Sequence, residues 1–158
     1  MILGGQGSGK SSLGNSFLGW KLDVPESPEP FHIGHGVEAG TLDSSYSSGS
    51  WLGRLDSPGV TVVDTPGFNS SFDDLEQLVW LLSELKEVHL FVIVFKHGDR
   101  FSSELGRSLN TIGKLLGSIW RHTAVIVSHC TMGICAASFE KFKVEARSEV
   151  SAAKLRQN

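Results

Sequence analysis

Residues 4–11, GGQGSGKS, constrain this chain more than any other stretch. They match G-x-x-x-x-G-K-[ST], a loop whose backbone N–H groups wrap phosphate oxygens while its lysine reaches the terminal phosphates. The pattern requires a buried strand before it and a helix after it, so that the loop sits under a positive helix end. A glycine-serine linker has a similar composition. A linker, however, is not usually flanked by Ile2 and Leu3 on one side and by Leu13, Phe17 and Leu18 on the other. Glycine lets the backbone take positive φ and come close to a bulky anion, which a Cβ would obstruct. The candidate nucleotide contacts are therefore Gly5, Gln6, Gly7, Ser8, Gly9, Lys10, Ser11 and Ser12. Lys10 is the charge acting on the reacting phosphates, and Ser11 offers a hydroxyl to Mg²⁺. A helix is expected to start at Ser12, its positive dipole end toward the phosphates.

Bulk properties narrow the partners. At 158 residues the chain is expected to be one domain with one core. Lys plus Arg number 14 against 17 Asp plus Glu, a net charge of −3 without a basic block, which disfavours nucleic acid as a partner. The two cysteines, Cys130 and Cys135, are too close together to staple a fold, so a reducing, cytoplasmic setting is expected. A zinc site on His129, Cys130 and Cys135 lacks a fourth ligand at metal-ligand spacing, and ordinary packing is the better reading. His32 and His35 share a glycine-rich loop and read as exposed histidines. The longest apolar run, residues 88–95, is far short of the ~20 residues that cross a bilayer and predicts a buried strand. Only residues 1–3 precede the loop, against a mean strand of about 5–6 residues. No signal peptide is expected, and the chain reads as shortened at its start.

Along the chain, three prolines at 25, 28 and 30 exclude helix, and residues 31–50, rich in Gly, Ser and His, predict a long loop that needs a job. Residues 59–64 form a β-branched run that predicts a central strand ending in Asp64. A helix is expected from about Ser70, with Phe72, Leu75, Leu78, Val79, Leu82 and Leu85 on its apolar face. The strand at 88–95 follows, then a helix from Ser102 or Ser103 with Leu105, Leu109, Ile112, Leu116 and Ile119 at helical spacing. A strand at 123–128 and a last helix from about Ser138 complete the pattern. Strands alternating with helices, and apolar throughout in the later ones, predict an α/β fold: a three-layer α/β/α nucleotide-binding domain on a mostly parallel sheet. Ligands bind beyond the carboxyl ends of such strands, so residues 4–11, 64–67, 96–100 and 128–131 should converge on one rim.

A lone D-T-P-G, residues 64–67, is a common turn. Behind a phosphate loop it reads instead as the aspartate that holds Mg²⁺ through water, with Gly67 able to sense the γ-phosphate.

Residues 9–19, GKSSLGNSFLG, and residues 64–68, DTPGF, together with the run 88–95 leading into 98–104, resemble the GIMAP family, immunity-associated septin-like GTPases. An aspartate stands between Gly98 and Arg100 where that family's pattern has none. The resemblance covers residues 2 to about 130. It implies a P-loop G domain that binds GTP or GDP with Mg²⁺ and self-assembles through that domain. It implies that the long loop is switch I, with Thr41 closing on the metal; the alternative is an exposed loop hydroxyl. Such closure is an order–disorder switch governed by the γ-phosphate. The base-recognition run is residues 128–131, SHCT, without the usual acid. Relatives in the chloroplast import machinery have T-H at its first two positions, so His129 either stacks on the purine or is a core-edge histidine. The family continues with a further strand and helix, so the chain also reads as shortened at its end. Relatives often act on membranes, so a membrane-peripheral place is the alternative to a purely cytoplasmic one, with any transmembrane or lipid anchor expected outside these residues.

No glutamine follows Gly67 closely enough to orient water, the nearest being Gln77. Slow hydrolysis is expected, with Arg100 a candidate charge-neutralising finger across a dimer, or else a surface partner of Asp99 or Glu104. The competing reading is a degenerate domain that holds nucleotide or partners without turnover. An ATP-using P-loop kinase is disfavoured because no arginine-rich lid is present.

Overall fold

A computed structural model of the chain describes residues 1–20, 29–33, 44–67, 72–98, 113–114 and 119–130. Its elements are β1 (Ile2–Gly4), α1 (Lys10–Phe17), β2 (Ser45–Ser50), β3 (Gly59–Asp64), α2 (Phe72–Glu84), β4 (Phe91–Lys96) and β5 (Thr123–Ser128). Single 3₁₀ turns lie at Trp51–Gly53 and Ile119–His122. The strands form one sheet in the order β2-β3-β1-β4-β5, in which only the β2–β3 pair is antiparallel. The expected mostly parallel α/β sheet is thus present.

Alternation along the strands divides the core in two. Met1, Leu3, Val63, Phe91, Ile93 and Phe95 face one way and pack with Leu78 of α2. Ile2, Val62, Val92 and Val94 face the other way, with Phe31, and pack against Leu13, Phe17 and Leu18 around α1. Successive side chains of a strand point to opposite faces, so runs apolar at every position belong to strands covered on both sides. With α1 on one face and α2 on the other, the three layers follow directly.

Four expectations are corrected. The strand expected at residues 88–95 begins only at Phe91 and runs to Lys96. Its start is set by its neighbours: Phe91 pairs Thr123, Val92 pairs Ile2, and the Val92 amide donates to Met1 O at 2.8 Å. Leu90 is left exposed, and His89 lies outside the strand beside Glu87. On α2 the inward stripe is Leu78, Leu81 and Leu82, continued by Leu85 just beyond the helix, whereas Val79 is 42% exposed. The helix α1 starts at Lys10, not Ser12, because Gly9 takes the left-handed cap conformation at φ 89° and turns the chain directly into the helix.

The fourth correction concerns residues 31–50, expected to be loop. Ser45–Ser50 is a full strand, matched residue for residue with β3 from Ser45↔Asp64 to Ser50↔Gly59. Nothing apolar specifies it. It forms because β3 offers a ladder edge, and the hydroxyls of Ser48 and Thr61 meet across it at 2.8 Å. The helices expected after Ser102 and Ser138 lie outside the described residues, apart from Gly113 and Lys114, which are helical.

The β2–β3 connection docks on the end of α1. Phe17 stacks on Trp51 with ring centroids 4.8 Å apart. Gly19, at φ 77°, lies so close to Gly53 that a Cβ on it would come within 2.4 Å of that residue's backbone. Gly19→Ala must therefore both strain a left-handed position and force the turn away. A loss of about 2 kcal/mol in unfolding free energy is expected by urea titration; an unchanged midpoint would show that the contact is not tight in solution.

Candidate phosphate-binding site

Two glycines of the loop, Gly4 and Gly9, do separate work. Gly4, the last residue of β1, passes so close to β4 that a Cβ would come within 2.3 Å of Val94 O. Gly9 is the left-handed N-cap, so α1 opens directly off the loop with its first-turn amides lacking intrahelical carbonyls. Leu13 makes the first return bond, to Gly9 O at 2.9 Å. Ser8 turns inward: its hydroxyl is buried with no hydrogen-bond partner among the described residues, and its amide reaches Gly5 O at 3.3 Å. Gln6 and Gly7 are exposed at the tip.

Lys10 is only 6% exposed, and its ammonium donates to Gly5 O at 3.0 Å. Burial lowers its pKa from the ordinary 10.5, and the nearby Asp64 carboxylate opposes that shift. A desolvated cation folded over its own loop is stabilised by any anion brought to that loop.

Asp64 closes β3 and is fully buried. It accepts the Ser11 hydroxyl at 2.6 Å. Thr65 follows with its hydroxyl donated to Ile2 O at 2.8 Å, tying the D-T-P-G turn to β1. Gly67 then packs on the loop itself, since a Cβ there would come within 2.7 Å of Gln6 Cα. A hydroxyl and a carboxylate, both oxygen donors and already in contact, suit Mg²⁺, which binds through one or two carboxylates and otherwise keeps waters and phosphate oxygens. Among the described residues no group of three or more His, Cys, Asp or Glu could hold a metal by itself. The Cys130 thiol donates to Val127 O at 3.8 Å. His32 is exposed, as expected, but not without an acidic neighbour: Glu29, three residues before it, lies 3.1 Å from its Nδ1.

The end of β5 joins the same rim. Ser128 Oγ lies 2.6 Å from Ser8 O, and the His97 amide donates to Ser128 O at 2.9 Å. His129 is exposed, with Cε1 3.8 Å from where a Cβ on Gly9 would stand. The structure thus brings Gly5–Ser11, Asp64, Gly67 and His129 together; Thr41 and Arg100 lie outside the described residues.

Two working residues carry no signal in the bare phosphate-loop pattern. Ser128, noted only as part of an atypical base run, bridges β5 to the loop. Asn15, noted only as part of a matching motif, is fully buried. Its amide donates to Phe31 O and accepts from Phe31 N, both at 2.8 Å. Gly14 leaves room for the same ring, since a Cβ there would come within 2.9 Å of Phe31 Cδ2. Residues 14 and 15 are thereby a seat for Phe31.

Comparison with known proteins agrees with this geometry. The sequence matches no curated protein at a significant level. Among solved structures, the crystal structure of a dimerization-deficient mutant of Toc33 from Arabidopsis thaliana superposes with a TM-score of 0.58 at 23% identity. The match covers 94% of this chain and 57% of that one, so the chain corresponds to little more than half of that neighbour's length. At this identity the likeness establishes the fold alone, a mostly parallel five-stranded α/β sheet of the P-loop NTPase kind. The AIG1 family model matches residues 1–147, a span containing every described strand and helix; the chain belongs to the AIG1 family.

Proposed function

We propose that residues 1–158 act as one GIMAP-like G domain that binds GTP or GDP with Mg²⁺, hydrolyses GTP slowly, and couples the bound state to loop ordering and self-association. The observation that carries this reading is the buried Lys10 ammonium folded over Gly5 O, beside Ser11 and Asp64 in hydrogen-bond contact. Amides of residues 5–12 and Lys10 hold the phosphates. Ser11 and Asp64 hold Mg²⁺, which when bound neutralises charge on the β- and γ-phosphates. Gly67 contacts Gln6 at the loop, so a change at the loop is transmitted to the D-T-P-G turn. Thr41 closes toward the metal in the triphosphate state, and His129 meets the base.

Phosphoryl transfer needs positioning and charge neutralisation. Toc33 is known in a dimerization-deficient form, which favours pairing between copies here, with Arg100 supplying positive charge across the nucleotide. Concentration-dependent turnover that persists in Arg100→Ala would remove that role. The alternative, a nucleotide-holding module without turnover, is favoured by the absence of a nearby water-orienting glutamine after Gly67. Phosphate release followed over hours separates the two.

Calorimetric titration with GTP, GDP and ATP in Mg²⁺ tests the reading. Both guanine nucleotides are expected to bind, and ATP at least about tenfold more weakly, the worth of one hydrogen bond. Equal affinity for ATP, or no binding at all, overturns it. Ser11→Ala is expected to reduce GTP affinity on the order of tenfold or more in Mg²⁺ and to leave it nearly unchanged in EDTA. Equal losses in both would show that the hydroxyl serves the loop and not the metal. No helix among the described residues is long and apolar enough to cross a membrane.

A further inference from the structure

Three segments meet at one hydroxyl. Ser128 Oγ lies 2.6 Å from Ser8 O in the phosphate loop, 3.1 Å from Phe95 O in β4 and 3.0 Å from His129 Nδ1. A serine hydroxyl has one proton to donate and two lone pairs that accept. Both carbonyls are acceptors in every state, so the proton goes to them, and foremost to Ser8 O as the shortest contact. If it turned to His129 instead, the oxygen's lone pairs would face two carbonyl oxygens, one at 2.6 Å. Of these three neighbours only the imidazole can donate to Oγ, and it does so only with hydrogen on Nδ1.

The ring's placement gives this tautomer a consequence. His129 takes φ 55°, a region that non-glycine residues seldom occupy. That turn sets an exposed ring beside Gly9, at the junction of phosphate loop and α1. Strain of this kind concentrates at ligand clamps. The run 128–131 holds no carboxylate to accept hydrogen bonds from a base.

We infer that Ser128 holds neutral His129 as its Nδ1–H tautomer, so that Nε2 offers a nucleotide base a hydrogen-bond acceptor where the run lacks a carboxylate. The edge recognised is a guanine type, with a ring N–H and an amino group as donors. Adenine presents a ring lone pair in place of that N–H and is opposed by Nε2. Ser128 is a positioning residue acting through His129. The base assignment rests on the guanine-nucleotide reading above; the tautomer belongs to the nucleotide-free protein.

Long-range ¹H–¹⁵N spectra of the imidazoles of the nucleotide-free protein test the tautomer, at a pH where the ring is neutral by its own titration. His129→Gln assigns the signals. A protonated Nδ1 and bare Nε2 are expected, with reversion toward Nε2–H in Ser128→Ala and the parent pattern kept in Ser128→Thr. An Nε2–H ring in the parent, or a ring unchanged in Ser128→Ala, overturns the inference. If Ser128→Ala does not fold, the parent and Ser128→Thr spectra decide it. In calorimetry N1-methyl-GTP is expected to bind the parent about tenfold more weakly than GTP, one hydrogen bond's worth, with a smaller ratio in Ser128→Ala. Equal affinities in the parent overturn the base assignment. Failure of GTP to bind overturns it together with the proposed function, and the ring spectrum still decides the tautomer.

Discussion

Lys10→Met is expected to reduce affinity for GTP and GDP by on the order of a hundredfold or more while leaving the nucleotide-free fold intact. The first effect follows from removing the sole buried cation that the described structure places over the loop; truncating one partner of a buried, hydrogen-bonded charge pair costs about 2–5 kcal/mol. The second follows from the sign of its pKa shift. Burial lowers the Lys10 pKa from 10.5, so between the folded and unfolded values the unfolded chain binds more protons, and stability rises with pH. Below that window the buried ammonium is a constant burden on the nucleotide-free protein, and methionine relieves it. The parent should gain stability relative to Lys10→Met as pH approaches 10.5, and should lose nucleotide affinity over the same range as the ammonium deprotonates. Thermal melts and titrations of both proteins across alkaline pH check this. Undiminished nucleotide affinity in Lys10→Met would remove the site altogether.

Asn15→Ala is the largest expected loss of stability, roughly 3–4 kcal/mol, because it strands the buried N–H and C=O of Phe31 at about 1–3 kcal/mol each. For a domain of this size that lowers Tm by about 10 °C. A loss below about 1 kcal/mol would mean that water reaches Phe31 and the seat is open. The variant also reports on function. Phe31 lies on the chain path from α1 toward Thr41, and the other end of that path is pinned where Ser45 pairs Asp64. Mg²⁺-dependent affinity should therefore fall in Asn15→Ala even at temperatures where the protein remains folded.

Much of this protein was legible as pattern. The phosphate loop, the strand ending in Asp64 and the strand at 123–128 are local statements: glycines where the backbone must turn or approach, a β-branched run, a carboxylate at its end. Such statements need only near neighbours in the chain, so sequence determines them. What the tertiary structure decided is of another kind. Ser45–Ser50 has no apolar period and becomes a strand only because β3 presents an unpaired ladder. The start of β4 is set by β1 and β5, not by its own apolar run. Asn15 binds a residue 16 positions away and Ser128 one 120 positions away, through single hydroxyl or amide groups that any serine or asparagine possesses. A polar side chain's role lies in which partner the fold brings within about 3 Å, and that distance is written in no stretch of sequence.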